Sequence, residues 1–197
     1  MERTNKSKTK RAEIISAVRQ SLPKMDYRTL SVRTICDTCG ISIGSFYHHF
    51  KNKEDLLTEI LEEIDHYLVS EVQPLLAEKD ECEKLRIFAF GFALETVNSA
   101  FAAGGNVIST SSVPLPSDPF ERKKELERPL YQLPFSIIQC GQKSGVFSDA
   151  VSAETAVEIL ITSLRGYAMD WARRSFSYDF PKTIRTFIDF YLLSLKK

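Results

Sequence analysis

Apolar positions recur along this chain at the three-and-four spacing of amphipathic helices, and no stretch of any length alternates with the two-residue period of a strand. The first helix is predicted over about 10–22, with Ala12, Ile15, Val18 and Leu22 on one face and Pro23 at its end. Between 31 and 50 the pattern tightens. Ser31 is placed to cap a short helix carrying Val32, Ile35 and Cys36, because its hydroxyl can accept from an orphan N–H of the first turn. Gly40 breaks that helix, since glycine adopts the left-handed conformation a sharp turn needs. Ser42 opens a second helix from Ile43 to about His49. Ile35, Ile41, Phe46 and Phe50 are spaced to meet between the two, and Cys36 sits where a small side chain is needed. Asn52 then caps a longer helix, with the Asp55 carboxylate near the positive end of its dipole. Leu57, Ile60, Leu61, Ile64 and Leu68 form its apolar stripe, and Pro74 marks its expected end.

The rest of the chain reads as a larger helical body. A helix over about 81–102 carries Ile87, Phe90, Leu94, Val97 and Phe101 on one side and Leu85, Phe88 and Phe92 on the other. A helix apolar on both sides belongs in the middle of its domain. Residues 104–119 are rich in Gly, Ser and Pro and read as a loop. A helical region over about 120–143 must kink or split at Pro129 and Pro134, and Gly141 and Gly145 close it. Two long helices follow, over about 153–174 and 181–195. The first carries Val157, Leu160, Ile161, Leu164, Ala168 and Trp171; the second carries Ile184, Phe187, Ile188, Tyr191, Leu192 and Leu195. Gly166 costs about 1 kcal/mol of helix stability relative to Ala, and its small size suits close helix contact. The expected fold is all-α: a three-helix N-terminal domain over 1–53, and a larger helical bundle over 54–197.

Charge divides the chain the same way. Its 26 basic and 26 acidic residues cancel, yet residues 1–53 hold 11 basic and 4 acidic side chains, a net of +7, which leaves −7 on the remainder. A basic end on an acidic body suits a polyanion-binding module on a soluble carrier. The polar, basic 1–10 stretch reads as an arm that touches phosphate or has no role. No apolar run approaches the roughly 20 residues that span a bilayer, and the N-terminus has no apolar signal core, so a cytoplasmic location is expected. Four cysteines include the pair Cys36 and Cys39 in CDTC. A zinc site of that spacing wants a second close pair, and Cys82 and Cys140 stand alone. Adjacent His48 and His49 point about 100° apart on a helix, which makes a poor chelate. No metal or cofactor is expected, and with no nucleophile–base pair, carboxylate dyad or phosphate loop, no enzymatic activity.

Two short helices joined by a glycine turn form the helix-turn-helix pattern, whose second helix enters the major groove of DNA. That helix is about 10 Å long at 1.5 Å per residue, which suits a groove roughly 12 Å wide. Its exposed face should carry Ser42, Ile43, Ser45 and His48, with Gly44 letting the backbone approach. Ile43 can pack on a thymine methyl, and Ser45 can bond a base edge. Ser31 and Arg33 are backbone-clamp candidates, as is Arg28. Lys53 opposes the dipole of its own helix, a conflict that a phosphate held at that N-terminus would remove.

The run GISIGSFYHHFKNKEDLL resembles the signature of the tetracycline-repressor (TetR) family of bacterial transcription regulators, and the close match covers about 14–61. Beyond it the resemblance rests on length, helical pattern and the stretch GQKSGVF before a long helix. Cys36 replaces a usual Ala, and Ile43 stands where polar or basic residues are frequent. The resemblance implies double-stranded DNA as partner, with Tyr47 and His48 at positions that usually contact phosphates. It implies a homodimer through the two C-terminal helices, and a small-molecule effector held in the body. Phe88, Phe92, Tyr131, Phe135 and Trp171 are candidate lining, with Glu95 as a buried polar handle; ordinary core packing is the alternative for each aromatic. The implied function is a repressor released from a near-palindromic operator by its effector. A DNA-bound adaptor that recruits another protein and a helical enzyme or carrier are the other readings.

Overall fold

A computed structural model describes residues 11, 13–17, 31–102, 123 and 125–196, with the backbone alone at 38, 54, 57, 58, 60–63 and 99–102. The described residues fold into helices and no strand; Phe147 and Lys196 make one isolated antiparallel bridge. Contacts group the chain into two units. The first runs to Glu63 and takes up residues from Asn98; the second holds Ile64–Val97 and the residues from Pro114 onward.

In the first unit, α1 is Val32–Cys39 and α2 is Ile43–His49. Ile14, Ile35, Cys36, Phe46, Phe50 and Leu56 are buried together, with Ile15, Val32, Cys39 and Ile41 packed against them. The expected inward residue of the first helical stretch was Ile15; Ile14 takes that place and Ile15 is half-buried. Ala12, Val18, Leu22 and Arg28 lie outside the described residues, as do the arm 1–10 and the loop 104–119.

The linking helix α3 spans Lys53–Tyr67. It does not run on as an α-helix toward Pro74. A π turn takes Leu68–Val72, with Gln73 N–H donating to Leu68 O, and a 3-10 turn takes Gln73–Leu76. Proline lacks an N–H and its ring clashes with the carbonyl four residues back, so the helix changes its hydrogen bonding before Pro74. The wide turn drives Val72 against α4, which is Glu81–Ala102: a Cβ on Gly91 would lie 2.4 Å from Val72 Cγ2. Only one of the two apolar sides of α4 is fully buried, through Leu85, Phe88, Ala89, Phe92 and Ala93, so the helix is not enclosed on both sides as its pattern predicted. Ile87, Phe90, Leu94 and Val97 are half-buried, with the Arg185 guanidinium 4.1 Å over the Phe90 ring.

Helix α5, Pro129–Ser144, begins at the first proline, where a missing N–H costs nothing, and carries Pro134 inside it. Gly141 does not close this helix. It lies within it and receives the ring of Phe147, while Gly145 (φ +78°) makes the stop. Helix α6 is Ala153–Arg173, capped by Ser152, and α7 is Phe180–Leu195, capped by Asp179. Their inner faces bury Val157, Leu160, Ile161, Leu164, Ile184, Ile188 and Leu192. Phe187 is half-buried rather than buried, and Gly166 is exposed: a Cβ built there would have none of the described residues within 4 Å.

A Cβ on Gly141 would sit 2.2 Å from Phe147 Cδ2, and Phe147 is fully buried. Overpacking a filled core costs about 1–3 kcal/mol. Gly141→Ala should therefore lower the urea midpoint by that equivalent, with an unchanged slope of the unfolding transition.

Candidate nucleic-acid interface

Local hydrogen bonds build the helix-turn-helix. Ser31 Oγ accepts from Thr34 N–H at 3.1 Å, and the two hydroxyls are 2.8 Å apart. Gly40 adopts φ +64° and its N–H donates to Cys36 O, to which Ile41 N–H also donates at 3.0 Å. Those bonds satisfy the carbonyl that the helix end orphans. Ser42 Oγ then accepts from Ser45 N–H at 3.0 Å. Ser31 and Ser42 are thus capping residues first, and both stay exposed.

The seven residues of α2 separate into two faces. Phe46 points inward with no exposure, its ring centroid 5.4 Å from that of Phe50. Ile43, Gly44, Tyr47 and His48 are exposed, Ile43 by 47% and Tyr47 by 56%. Ser45 is half-buried rather than fully outward, and His49 is half-buried with its ring edge-on to His48. Arg33 is exposed on α1.

Helix α3 opens with reciprocal capping. Asn52 Oδ1 accepts from Asp55 N–H at 2.7 Å, and Asp55 Oδ2 accepts from Lys51 N–H at 3.0 Å. The side chains hold the approach of the chain to Lys53, which is the first helical residue and half-buried. Arg11 is a residue that sequence reasoning passed over. Its guanidinium lies 5.0 Å over the Phe50 ring and pairs with Glu59 of α3, so it ties the first helical stretch to the linking helix. The partners are 48 positions apart, and no short-range pattern marks such a pair.

Burial pushes the Cys36 thiol up, helped by the Asp37 carboxylate; burial and then Cys36 do the same to Cys39. A thiol held protonated is a poor nucleophile and a poor metal ligand. Among the described residues, no three His, Cys, Asp or Glu side chains are grouped to hold a metal.

The six effector candidates belong to the second unit, and the structure gives them packing partners. Phe88 and Phe92 are buried in α4. The Trp171 ring stacks on Phe180 at 4.9 Å, meets Phe176 edge-on, and donates its N–H to Tyr178 O at 2.8 Å. Tyr131 donates its hydroxyl to Glu125 at 2.9 Å. Phe135 is half-buried, and so is Glu95, which is not the buried handle expected. Its charge helps hold the Tyr67 hydroxyl protonated, after the larger effect of burial there. A groove of about 400 Å³ lies instead along α6 and α7, lined by Ile159, Ser163, Phe187, Phe190, Tyr191 and Ser194 among others, and none of the six candidates lines it.

The model of the N-terminal domain of "Bacterial regulatory proteins, tetR family" matches residues 14–60, the stretch whose geometry is given above. Residues 14–60 carry the N-terminal domain of the tetR family, and the chain is a DNA-binding regulator of transcription. The transcriptional repressor KstR2 of Rhodococcus jostii is 23% identical over 151 residues, covering 77% of this chain and 74% of its own. The regulator UidR of Escherichia coli is 37% identical over 51 residues, about a quarter (26%) of each chain. FadR of Bacillus subtilis, solved in complex with stearoyl-CoA, shares the fold: its TM-score is 0.75, at 20% identity, over 93% of this chain and 98% of that one. No helix among the described residues is long and apolar enough to cross a membrane.

Protonated, enclosed thiols react slowly. In the native protein at neutral pH, Cys36 should resist a thiol-specific disulfide reagent while exposed Cys140 is modified first. Residue-resolved mass spectrometry, with and without denaturant, checks the order.

Proposed function

We propose that this protein is a homodimeric repressor, released from a near-palindromic operator by a small-molecule effector. Residues 1–53 are the DNA-binding head, and 54–197 the effector-binding and dimerisation body. The observation that carries the reading is the division of α2. Its inner side is spent on the core through Phe46, while an apolar Ile43 and an aromatic Tyr47 are left in water. Exposure of both on a seven-residue helix makes sense if a groove of DNA covers them.

In this reading Ile43 meets a thymine methyl and Ser45 a base edge, while Gly44 lets the backbone approach. Tyr47, His48, Ser31, Arg33, Ser42 and Lys53 hold phosphates and set the register. Phosphate contacts release counterions, so affinity must fall steeply with salt. The test is selection of duplexes from a random library, followed by band-shift titration at several salt concentrations. A slope near zero overturns the reading. Lys53→Gln should weaken all duplexes alike and reduce the slope by about 1. Ile43→Ala should relax the preference at one base pair by about 1 kcal/mol, roughly fivefold, and leave the slope unchanged.

The outer side of α6 and α7 supports the dimer. Ile159, Phe190 and Leu193 are exposed there, Phe190 by 72%, beside the 400 Å³ groove and the bare Gly166. Large apolar side chains and a missing side chain on one face suit a second copy of the same helices. Truncating a central interface aromatic costs ~2 kcal/mol or more, so Phe190→Ala should raise the dimer dissociation constant about thirtyfold in sedimentation equilibrium.

For the effector, the six body residues Phe88, Phe92, Glu95, Tyr131, Phe135 and Trp171 remain the proposed lining, in a conformation that opens around the ligand. The stearoyl-CoA bound by the similar FadR makes a long-chain acyl-CoA the first compound to titrate against the protein–duplex complex. Release of the duplex by stearoyl-CoA, and none by free CoA, is the expected result.

A further inference from the structure

Where α3 ends, its side chains reach across to the start of α5. Asp65 is buried, 8% exposed, and its carboxylate accepts two bonds. Arg128 Nε donates to Oδ2 at 2.7 Å, and Leu130 N–H donates to Oδ1 at 3.1 Å. Arg128 is the N-cap residue of α5 and provides no capping side chain, and Pro129 follows it without an N–H. Leu130 therefore offers the first N–H of this terminus, and a residue of another helix satisfies it. The negative charge also lies at the positive end of the α5 dipole.

Two further contacts meet at this place. Glu125, 6% exposed, accepts from Tyr131 in the first turn of α5, and from Arg165 of α6 at 3.3 Å. About two turns beyond Asp65, Val72 of the π turn sits on Gly91 of α4. The end of the linking helix is thus held by a carboxylate at the start of α5 and by a close backbone approach on α4. The start of α5 is in turn tied to α6.

We propose that Asp65 is a positioning residue: its bonds to Arg128 and Leu130 join α3 to the first turn of α5, so that the state of the body sets the affinity of the head for DNA. The proposal deepens the repressor reading and rests on it. A ligand that shifts the first turn of α5 must carry α3 with it or break the Asp65 bonds, and either event changes how α3 presents the head. Asp65 and Arg128 are more than ten residues beyond Lys53, the last residue assigned to DNA, so a change in affinity on their substitution reports coupling and not a lost contact.

The test compares Asp65→Asn, Asp65→Ala and Arg128→Lys with the unaltered protein on the duplex it selects from a random library. Asp65→Asn keeps an acceptor for Leu130 N–H and loses the charge; Arg128→Lys keeps the charge and loses the geometry. The expected result is a fall in duplex affinity of at least about fivefold for Asp65→Ala, a smaller fall for Asp65→Asn, partial retention in Arg128→Lys, and one salt slope for all. Selection repeated with Asp65→Ala should return half-sites over a wider range of separations. Affinities within twofold of the unaltered protein, and the same separations, in variants that melt cooperatively overturn the proposal. Should Asp65→Ala fail to fold, Asp65→Asn and Arg128→Lys carry the test. Tighter binding by the variants would uphold the coupling and overturn release by an effector, because the resting, joined state would then be the one with low affinity.

Discussion

The head depends on one small cluster of apolar side chains. A seven-residue helix is far too short to persist alone in water, since helix nucleation is unfavourable and isolated helices below about 12 residues are marginal. What holds α2 is the complete burial of Phe46 against Phe50, Ile35, Cys36, Leu56 and Ile14. Each such aromatic or aliphatic side chain contributes about 1.5–3 kcal/mol on leaving water, which exceeds the few tenths per residue that propensity supplies. The same cluster decides the orientation of α2 about its own axis. Once Phe46 is inward, the helical period forces Ile43, Tyr47 and His48 outward, so core packing and the exposed face of α2 are one constraint.

Glycine acts on that constraint in two different ways. Gly40 is needed for its backbone: φ +64° lets the chain turn from α1 into α2 across Gly40, Ile41 and Ser42, with Cys36 O closing the turn. Gly91 and Gly141 are needed for the side chain they lack, because Val72 and Phe147 occupy the space a Cβ would fill. The first kind sets the angle between the helices of the head. The second lets neighbouring segments of the body approach to backbone distance, at Val72 and at Phe147.

The head was legible in the sequence and the body only in outline, for a physical reason. Caps and turns are local: Ser31, Ser42 and Asn52 each form the capping bond their spacing implied, and Gly40 takes the left-handed turn expected of it. The π turn at Leu68–Val72 was not legible, because apolar spacing read at 3.6 residues per turn does not distinguish a helix that widens before a proline. Gly141 resembled a helix end until the ring of Phe147 gave it a partner. The aromatic candidates for an effector pocket had the opposite fault. A helical stripe of Phe, Tyr and Trp is compatible with a cavity wall and with a filled core. Only the stacking of Trp171 on Phe180, and its bond to Tyr178 O, reveal how fully it is engaged in this conformation.

What no local pattern carried is the set of long-range ion pairs, and their energetics explain why they matter for conformation more than for stability. Asp65 with Arg128 and Glu125 with Arg165 are separated by 63 and 40 positions. Each removes charge from water, and the desolvation cost offsets much of the attraction gained, so apolar residues of equal volume would hold the fold as well or better. A carboxylate that accepts from both a guanidinium and a helix terminus is different from an apolar contact in one respect. It is satisfied in one geometry and costly in every neighbouring one, because a buried donor left without its acceptor loses far more than a slipped methyl contact does. In the coupling proposed above, the buried carboxylates at the start of α5 favour discrete arrangements over gradual sliding. Discreteness is what a regulator needs between the place where it senses and the place where it reads DNA.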